Sequence, residues 1–150
     1  MSDQIIAERR SANMAAIKNK DTKPEIYIRK LLYSNGYRYR KNVSNIAGKP
    51  DILLLKYNVA IFINGCFWHR HHGCKYAYMP KSRIDFWQSK FTNNIARDHK
   101  VSQLLRDLGI KQLVIWECSI KKMKKDDKYR QDVLDRIQIF AQGGEQYCEI

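Results

Sequence analysis

Apolar positions along the chain separate into helical stripes and short continuous runs. The first helix signal begins at Thr22, which can cap, followed by Pro24, which suits a first turn. Thr22 and Glu25 form a T-x-x-E capping box. The buried stripe that follows consists of Ile28, Leu31 and Leu32. We expect this helix to end at Gly36, because glycine commonly terminates helices.

Continuous runs of aromatic or branched residues predict strands. The candidates are Tyr37–Lys41, Asp51–Leu55, Val59–Ile63 and Gln112–Trp116. Residues 56–58 form a hairpin-like link between the second and third candidates. Apolar runs without alternation are typical of strands that are covered on both faces.

Two further helices are predicted, from about Arg83 to Leu108 and from about Tyr129 to Phe140. The charged run Lys121–Lys128 predicts an exposed loop, and residues 1–20 an arm or short helix. The order α-β-β-β-α-β-α indicates an α/β fold with a mixed sheet flanked by helices. We expect one domain over residues 21–142, between an N-terminal arm (1–20) and a C-terminal tail (143–150).

The charge balance is strongly basic, with 28 Lys and Arg residues against 15 acidic residues and a net charge of +13. Such an excess favours a polyanionic partner such as nucleic acid, although a solvated basic surface or an anionic membrane is the alternative. No apolar run approaches the roughly 20 residues of a transmembrane helix. The N-terminus also lacks the residue order of a signal peptide. We therefore expect a cytoplasmic protein whose four cysteines are not in disulfides.

Metal ligands concentrate in the segment Asn64–Cys74, NGCFWHRHHGC. His71 and Cys74 have H-x-x-C spacing, which lets one tight turn place both on a single ion, and Cys66 precedes them. Cys118, at the end of a predicted strand, is the best candidate for a fourth ligand. Three thiolates and one imidazole are typical of a structural zinc site. The alternative is a set of buried free thiols beside surface histidines.

A carboxylate and a histidine suggest a second centre. Residues 48–50 form a turn that delivers Asp51 to the head of a strand, with Val59–Ile63 alongside. Nucleases often hold magnesium in this way, but Asp51 can equally be a strand-initiating turn residue. His69 follows Phe67 and Trp68, two aromatic residues that either stack on bases or pack in the core.

Several spaced motifs resemble the very short patch repair endonucleases of bacteria. They are Arg10–Met14, Pro50–Asp51, Ile61–His69, Phe86–Trp87, Lys90, Asn94, Arg97–Asp98 and Val114–Cys118. The resemblance covers roughly residues 9–118 in unbroken order. It implies a divergent restriction-endonuclease-like fold and a magnesium-dependent endonuclease. That family nicks double-stranded DNA 5′ of the thymine in T·G mismatches, which arise when 5-methylcytosine deaminates.

The same resemblance implies roles for individual residues in catalysis. Asp51 binds magnesium through its carboxylate, and Ile63 binds it through its main-chain carbonyl. Ile63 stands where some members have threonine, and the change of side chain is tolerated because only the main chain binds the ion. His69 is the general base on the attacking water, and Asp98 holds its imidazole. Glu25 supports metal-bound water.

Zinc and DNA contacts follow from the resemblance as well. The implied zinc ligands are Cys66, His71, Cys74 and Cys118. The implied DNA contacts are the wedge residues Phe67, Trp68 and Trp87, Met14 in the other groove, and the base-reading residues Lys90 and Asn94. The N-terminal arm would then contact DNA. The implied functional partners are a cytosine-5 DNA methyltransferase and mismatch-repair proteins. The enzyme is expected to be a monomer that associates with the nucleoid.

Besides Ile63, three positions depart from the family pattern. Asn64 stands where some members have histidine, and Arg70 breaks a run of histidines. Gly73 resembles an insertion in the zinc turn, so His72 can replace His71, although H-x-x-C makes the tighter turn. Two other functions stay open: a restriction-like endonuclease on matched DNA, and a zinc-stabilised DNA-binding module without catalysis.

Overall fold

The computed structural model describes residues 21–150, so the predicted arm (1–20) and Met14 lie outside the described residues. The elements, in chain order, are α1 (Lys23–Ser34), β1 (Arg40–Lys41), β2 (Ile52–Leu54), β3 (Val59–Asn64), α2 (Ile84–Asp107), β4 (Lys111–Trp116), α3 (Glu117–Lys125), α4 (Asp127–Gln142) and β5 (Tyr147–Glu149). None of the helices within residues 21–150 is long and apolar enough to cross a membrane.

Helix α1 begins and ends as predicted, but its capping differs in one bond. Thr22 Oγ1 accepts a hydrogen bond from the Glu25 amide at 3.5 Å. The Glu25 carboxylate accepts from the amide of Asp21 at 2.8 Å, one residue before the expected partner. The chain leaves the helix at Gly36, whose φ of +90° favours glycine.

The five strands form one mixed sheet in the order β1-β2-β3-β4-β5, which confirms the predicted fold class. Strands β1, β2 and β3 pair antiparallel, whereas β3, β4 and β5 pair parallel. The larger core lies between one face of the sheet and helices α1, α3 and α4, with Leu32, Ile61, Met123 and Ile137 almost fully buried. Helix α2 covers the other face through Val101 and Leu105.

Two segments differ from the expectations. The predicted loop Lys121–Lys128 is wrong, because helix α3 continues to Lys125 and α4 begins at Asp127. The lysines lie on the solvent side, while Ile120 and Met123 insert into the core. Strand β5 lies inside the segment assigned to the tail, and pairs with β4.

The sheet register positions the residues of interest. Ile52, at the head of β2, lies opposite Ile61, so Asp51 lies beside the end of β3. Asn64 and Trp116 are paired at the matching ends of the parallel strands β3 and β4. The segments that leave these two strands begin with Gly65 and Glu117, and they therefore bring Cys66 and Cys118 to the same edge.

Candidate active site and metal centre

Asp51 is fixed at the point where β2 and β3 meet. Its amide donates to the Ile61 carbonyl at 3.1 Å. Its Oδ2 atom accepts a hydrogen bond from the Ile63 amide at 2.7 Å. The two residues predicted to hold magnesium are thus direct neighbours, although their role as ligands stays a prediction.

The electrostatic surroundings of Asp51 disfavour its ionised form. Burial raises the pKa of Asp51 to about 6, and the hydrogen bond from Ile63 opposes that effect. The charge of Glu25 raises the pKa further, whereas the charges of His69 and Arg29 lower it. A half-buried carboxylate beside a second acid fits a divalent cation, because the cation offsets both the desolvation and the repulsion.

Glu25 itself is buried at the start of α1 with 5% of its surface exposed. Arg29 lies one turn later, and its guanidinium is 3.4 Å from Glu25 and 2.8 Å from Asp21. Arg29 is a partner of Glu25 that was not among the predicted site residues. Its i,i+4 spacing from Glu25 is the signal that could have found it.

His69 and Asp98 come together from distant segments. The His69 Nδ1 atom lies 2.8 Å from Asp98 Oδ2, and both side chains are partly exposed. The His69 amide also donates to the Gly65 carbonyl at 3.1 Å, which sets the turn that carries the ring. This arrangement can hold an imidazole in one orientation, as a general base requires.

A cleft of about 960 Å³ opens beside this pair. Its walls include Asn64, His69 and Asp98, and the basic residues Arg97 and Arg106 also line it. Cationic side chains around a cleft attract phosphates and raise their local concentration. The cleft therefore gives the His69–Asp98 pair an accessible, positively charged approach.

Four metal-binding side chains converge at the sheet edge. The ligand atoms of Cys66, His71, Cys74 and Cys118 all lie within 4.8 Å of one another. The distance from Cys118 Sγ to His71 Nδ1 is 3.4 Å. A tetrahedral zinc ion with bonds of about 2.0–2.3 Å requires ligand atoms spaced about 3.5–3.8 Å apart. The cluster is therefore of the right size and donor type for such an ion.

The chemistry of the thiols also fits a bound cation. Burial raises the pKa of the Cys66 thiol well above its ordinary value. A metal ion stabilises the thiolate in such surroundings, whereas the free thiol stays protonated. The four cysteines, of which Cys148 lies outside the cluster, are all free. His72 is exposed and is not part of the cluster, whereas the ring of His71 stacks on Trp116 at 4.1 Å.

The predicted wedge residues form one aromatic cluster. The ring centroids of Phe67 and Trp87 are 5.4 Å apart, and those of Trp68 and Trp87 are 5.8 Å apart. Phe91 packs beneath them at 5.2 Å from Phe67 and is buried. Phe91 was missed in the sequence, although its i+4 spacing from Trp87 on α2 is a usable signal.

The predicted base-reading residues lie on the same helix as Trp87. The Asn94 amide donates to the main-chain carbonyl of Trp68 at 3.1 Å, so it ties α2 to the wedge turn. Lys90 is exposed. Their DNA contacts stay predictions.

Comparison with known proteins identifies the family. Residues 2–75 match the family model of the DNA mismatch endonuclease Vsr. A type II nicking enzyme of Neisseria meningitidis, V.NmeAIP, is 46% identical over 121 residues, which cover 81% of this chain and 86% of that protein. The DNA mismatch endonuclease Vsr of Escherichia coli is 36% identical over 125 residues, which cover 83% and 80%. A type II nicking enzyme of Xanthomonas oryzae, V.XorIIP, is 36% identical over 90% of this chain and 98% of its own length. The chain therefore belongs to the Vsr family of DNA mismatch endonucleases, whose fold is restriction-endonuclease-like.

Proposed function

We propose that this endonuclease nicks double-stranded DNA 5′ of the thymine in T·G mismatches left by deamination of 5-methylcytosine, and so begins very short patch repair. The observation that best supports this proposal is the His69–Asp98 pair beside a cleft. Asp51 is close enough for the charge of His69 to lower its pKa. We further propose that it acts in the cytoplasm on nucleoid DNA as a monomer, in functional association with a cytosine-5 methyltransferase and mismatch-repair proteins.

A few residues would carry out the hydrolysis. Asp51 and the main-chain carbonyl of Ile63 would hold Mg²⁺, which supplies charge relief on the phosphate and the leaving oxygen. His69 takes a proton from the attacking water as that water opens the phosphodiester bond. Asp98 orients the imidazole, and Glu25 adds negative charge beside Asp51 that strengthens cation binding.

Recognition is assigned to the aromatic cluster. Phe67, Trp68 and Trp87 would insert next to the mismatch, because a wobble pair costs less to unstack than a Watson–Crick pair. Lys90 and Asn94 follow Trp87 on α2 and would read the mismatched bases, with Met14 in the opposite groove. Zinc, held by Cys66, His71, Cys74 and Cys118, would fix the turn that carries Phe67 and Trp68.

Two substitutions separate chemistry from recognition. Asp51→Ala should abolish nicking in Mg²⁺ while binding to a T·G duplex persists, because that carboxylate serves the cation. Trp68→Ala should weaken the preference for T·G over matched DNA, since aromatic stacking on a base is typically worth about 1–3 kcal/mol. Asp132→Ala, at an exposed position on α4, is the matched control. Equal loss of binding in the Asp51 and Trp68 variants would contradict the division of roles.

A further inference from the structure

Arg70 occupies a central position between the zinc turn and the aromatic cluster. Its guanidinium carbon lies 3.9 Å from the centroid of the Phe91 ring and 5.6 Å from that of Phe67. A cation over an aromatic face is attracted by the ring quadrupole. Arg70 therefore contacts the buried floor of the cluster and one of its predicted wedge residues at once.

The same guanidinium binds three main-chain carbonyls. Nη1 donates to Phe67 at 3.2 Å and to Tyr78 at 3.0 Å, and Nη2 donates to Ala77 at 2.8 Å. These bonds join the turn that carries Phe67 and Trp68 to the segment after Cys74. A lysine in this position could not make the same set, because its single nitrogen lacks the planar fork of donors.

The backbone conformation of Arg70 is an unusual one for a residue with a side chain. Its φ is +54°, in the left-handed region that non-glycine residues seldom adopt. The side chain is partly buried, although the residue lies in a turn. The contacts to three carbonyls and two rings offset the conformational cost.

We propose that Arg70 is a positioning residue for mismatch recognition, which holds the Phe67–Trp68 turn against α2 so that the wedge is ordered before DNA binds. This inference rests on the proposed function of the aromatic cluster. It predicts that Arg70 acts through Phe67, Phe91 and the turn, with no role in zinc binding or in proton transfer.

The experiment compares Arg70→Met and Arg70→Lys with the wild-type chain. Arg38→Met is the matched control, because Arg38 also lies over an aromatic ring, that of Tyr33 at 4.0 Å, and donates to carbonyls, but in the segment that follows α1. The first readout is the set of indole N–H signals of the three tryptophans in ¹H–¹⁵N spectra. The second is the affinity ratio for T·G over matched duplexes, and the third is the zinc content.

Arg70→Met should shift or broaden the signals of Trp68 and Trp87 and leave that of Trp116, which stacks on His71, unchanged. The affinity ratio should fall about fivefold to tenfold, which corresponds to part of the binding free energy that stacking of one aromatic side chain on a base contributes. Arg70→Lys should restore part of the ratio, and both variants should keep the zinc content of the wild type.

Unchanged Trp68 and Trp87 signals in Arg70→Met would overturn the inference. So would loss of zinc or a shifted Trp116 signal, because Arg70 would then be part of the metal turn's own fold. If the wild-type chain itself shows no T·G preference, the proposed function fails, and the indole signals alone decide the role of Arg70.

Discussion

The His69 Nδ1 atom lies 2.8 Å from Asp98 Oδ2, and the two residues are 29 positions apart in the chain. An ionised carboxylate can only accept a hydrogen bond, so the imidazole proton is held on Nδ1. The lone pair of Nε2 is then free to accept a proton from water. This relationship underlies the assignment of His69 as the base and leads to the first two predictions.

His69→Ala should reduce nicking by the roughly 10²–10⁴-fold that is typical of general-base catalysis. DNA binding and zinc content should stay unchanged, because His69 lies outside the cysteine–histidine cluster. Single-turnover nicking and metal analysis measure the two effects. His72→Ala, at an exposed neighbouring histidine, is the control. Loss of zinc in His69→Ala would show that the histidines have been assigned wrongly.

Asp98→Asn should lower the maximal nicking rate at least about tenfold while the affinity for DNA is retained. The amide can donate to Nδ1 as well as accept from it, so it no longer holds the proton on that nitrogen. The measurement is the nicking rate at saturating Mg²⁺ and enzyme. A variant that nicks at the wild-type rate would exclude Asp98 as the orienting partner.

Removal of one cluster thiol should remove the metal. Purified wild-type protein should contain about one zinc per chain, and Cys118→Ser should lose it together with thermal stability, since closed sites contribute to folding. Cys148→Ser, at the cysteine outside the cluster, should keep both. The prediction fails if the Cys118 variant retains stoichiometric zinc in metal analysis after dialysis.

The raised pKa of Asp51 predicts a pH-dependent stability. The folded state binds an additional proton at this site between the ordinary pKa of 3.8 and about 6, so the metal-free protein loses stability as the pH rises through that window. Asp51→Asn should therefore be more stable than the wild type at pH 7.5 without divalent ions, by up to about 3 kcal/mol. The difference should disappear below pH 4.

Urea unfolding in the presence of a chelator, at pH 7.5 and below pH 4, measures the difference in the free energy of unfolding. Asp132→Asn, at an exposed position, is the control. Magnesium should stabilise the wild type and not Asp51→Asn, because the cation binds the ionised carboxylate. Equal stability of wild type and Asp51→Asn at both pH values would contradict the assigned surroundings of Asp51.

Most elements of the fold were predictable because their apolar patterns are strong. The pattern predicts helix α2 over about residues 83–108, and it forms from Ile84 to Asp107. Strand β2 falls inside its predicted run, whereas β3 and β4 each extend one residue beyond theirs, to Asn64 and Lys111. Strand β5 was not predicted, because Tyr147, Cys148 and Glu149 lack apolar alternation and gain their pairing only from β4.

Helix α3, which includes the lysine-rich segment, could not be predicted from the sequence for a different reason. Between Glu117 and Lys125 only Ile120 and Met123 are buried, and their spacing of three residues is too short a stripe to outweigh the surrounding charges. Tertiary packing against α1 and α4, rather than local pattern, makes this segment helical.

The site could be predicted only in part. Local spacing pointed to Cys66, His71 and Cys74, and the position of Cys118 at the end of a predicted strand made it the candidate fourth ligand; the structure brings all four side chains together. The partnership of His69 with Asp98 followed from family resemblance, because no local pattern connects a turn after β3 with the middle of α2. The contacts of Arg70 with Phe91 depend on a left-handed turn residue, and nothing in the sequence predicts them.

Nicking of end-labelled duplexes in Mg²⁺ measures the specificity of the enzyme for T·G mismatches. Paired T·G and T·A duplexes with varied flanking sequences would be compared strand by strand. A mismatch-specific enzyme should make one nick in the thymine strand, immediately 5′ of the mismatched thymine, and should cut T·A duplexes little. Cutting of both strands in matched DNA, or no cutting in any duplex, would exclude the proposed function.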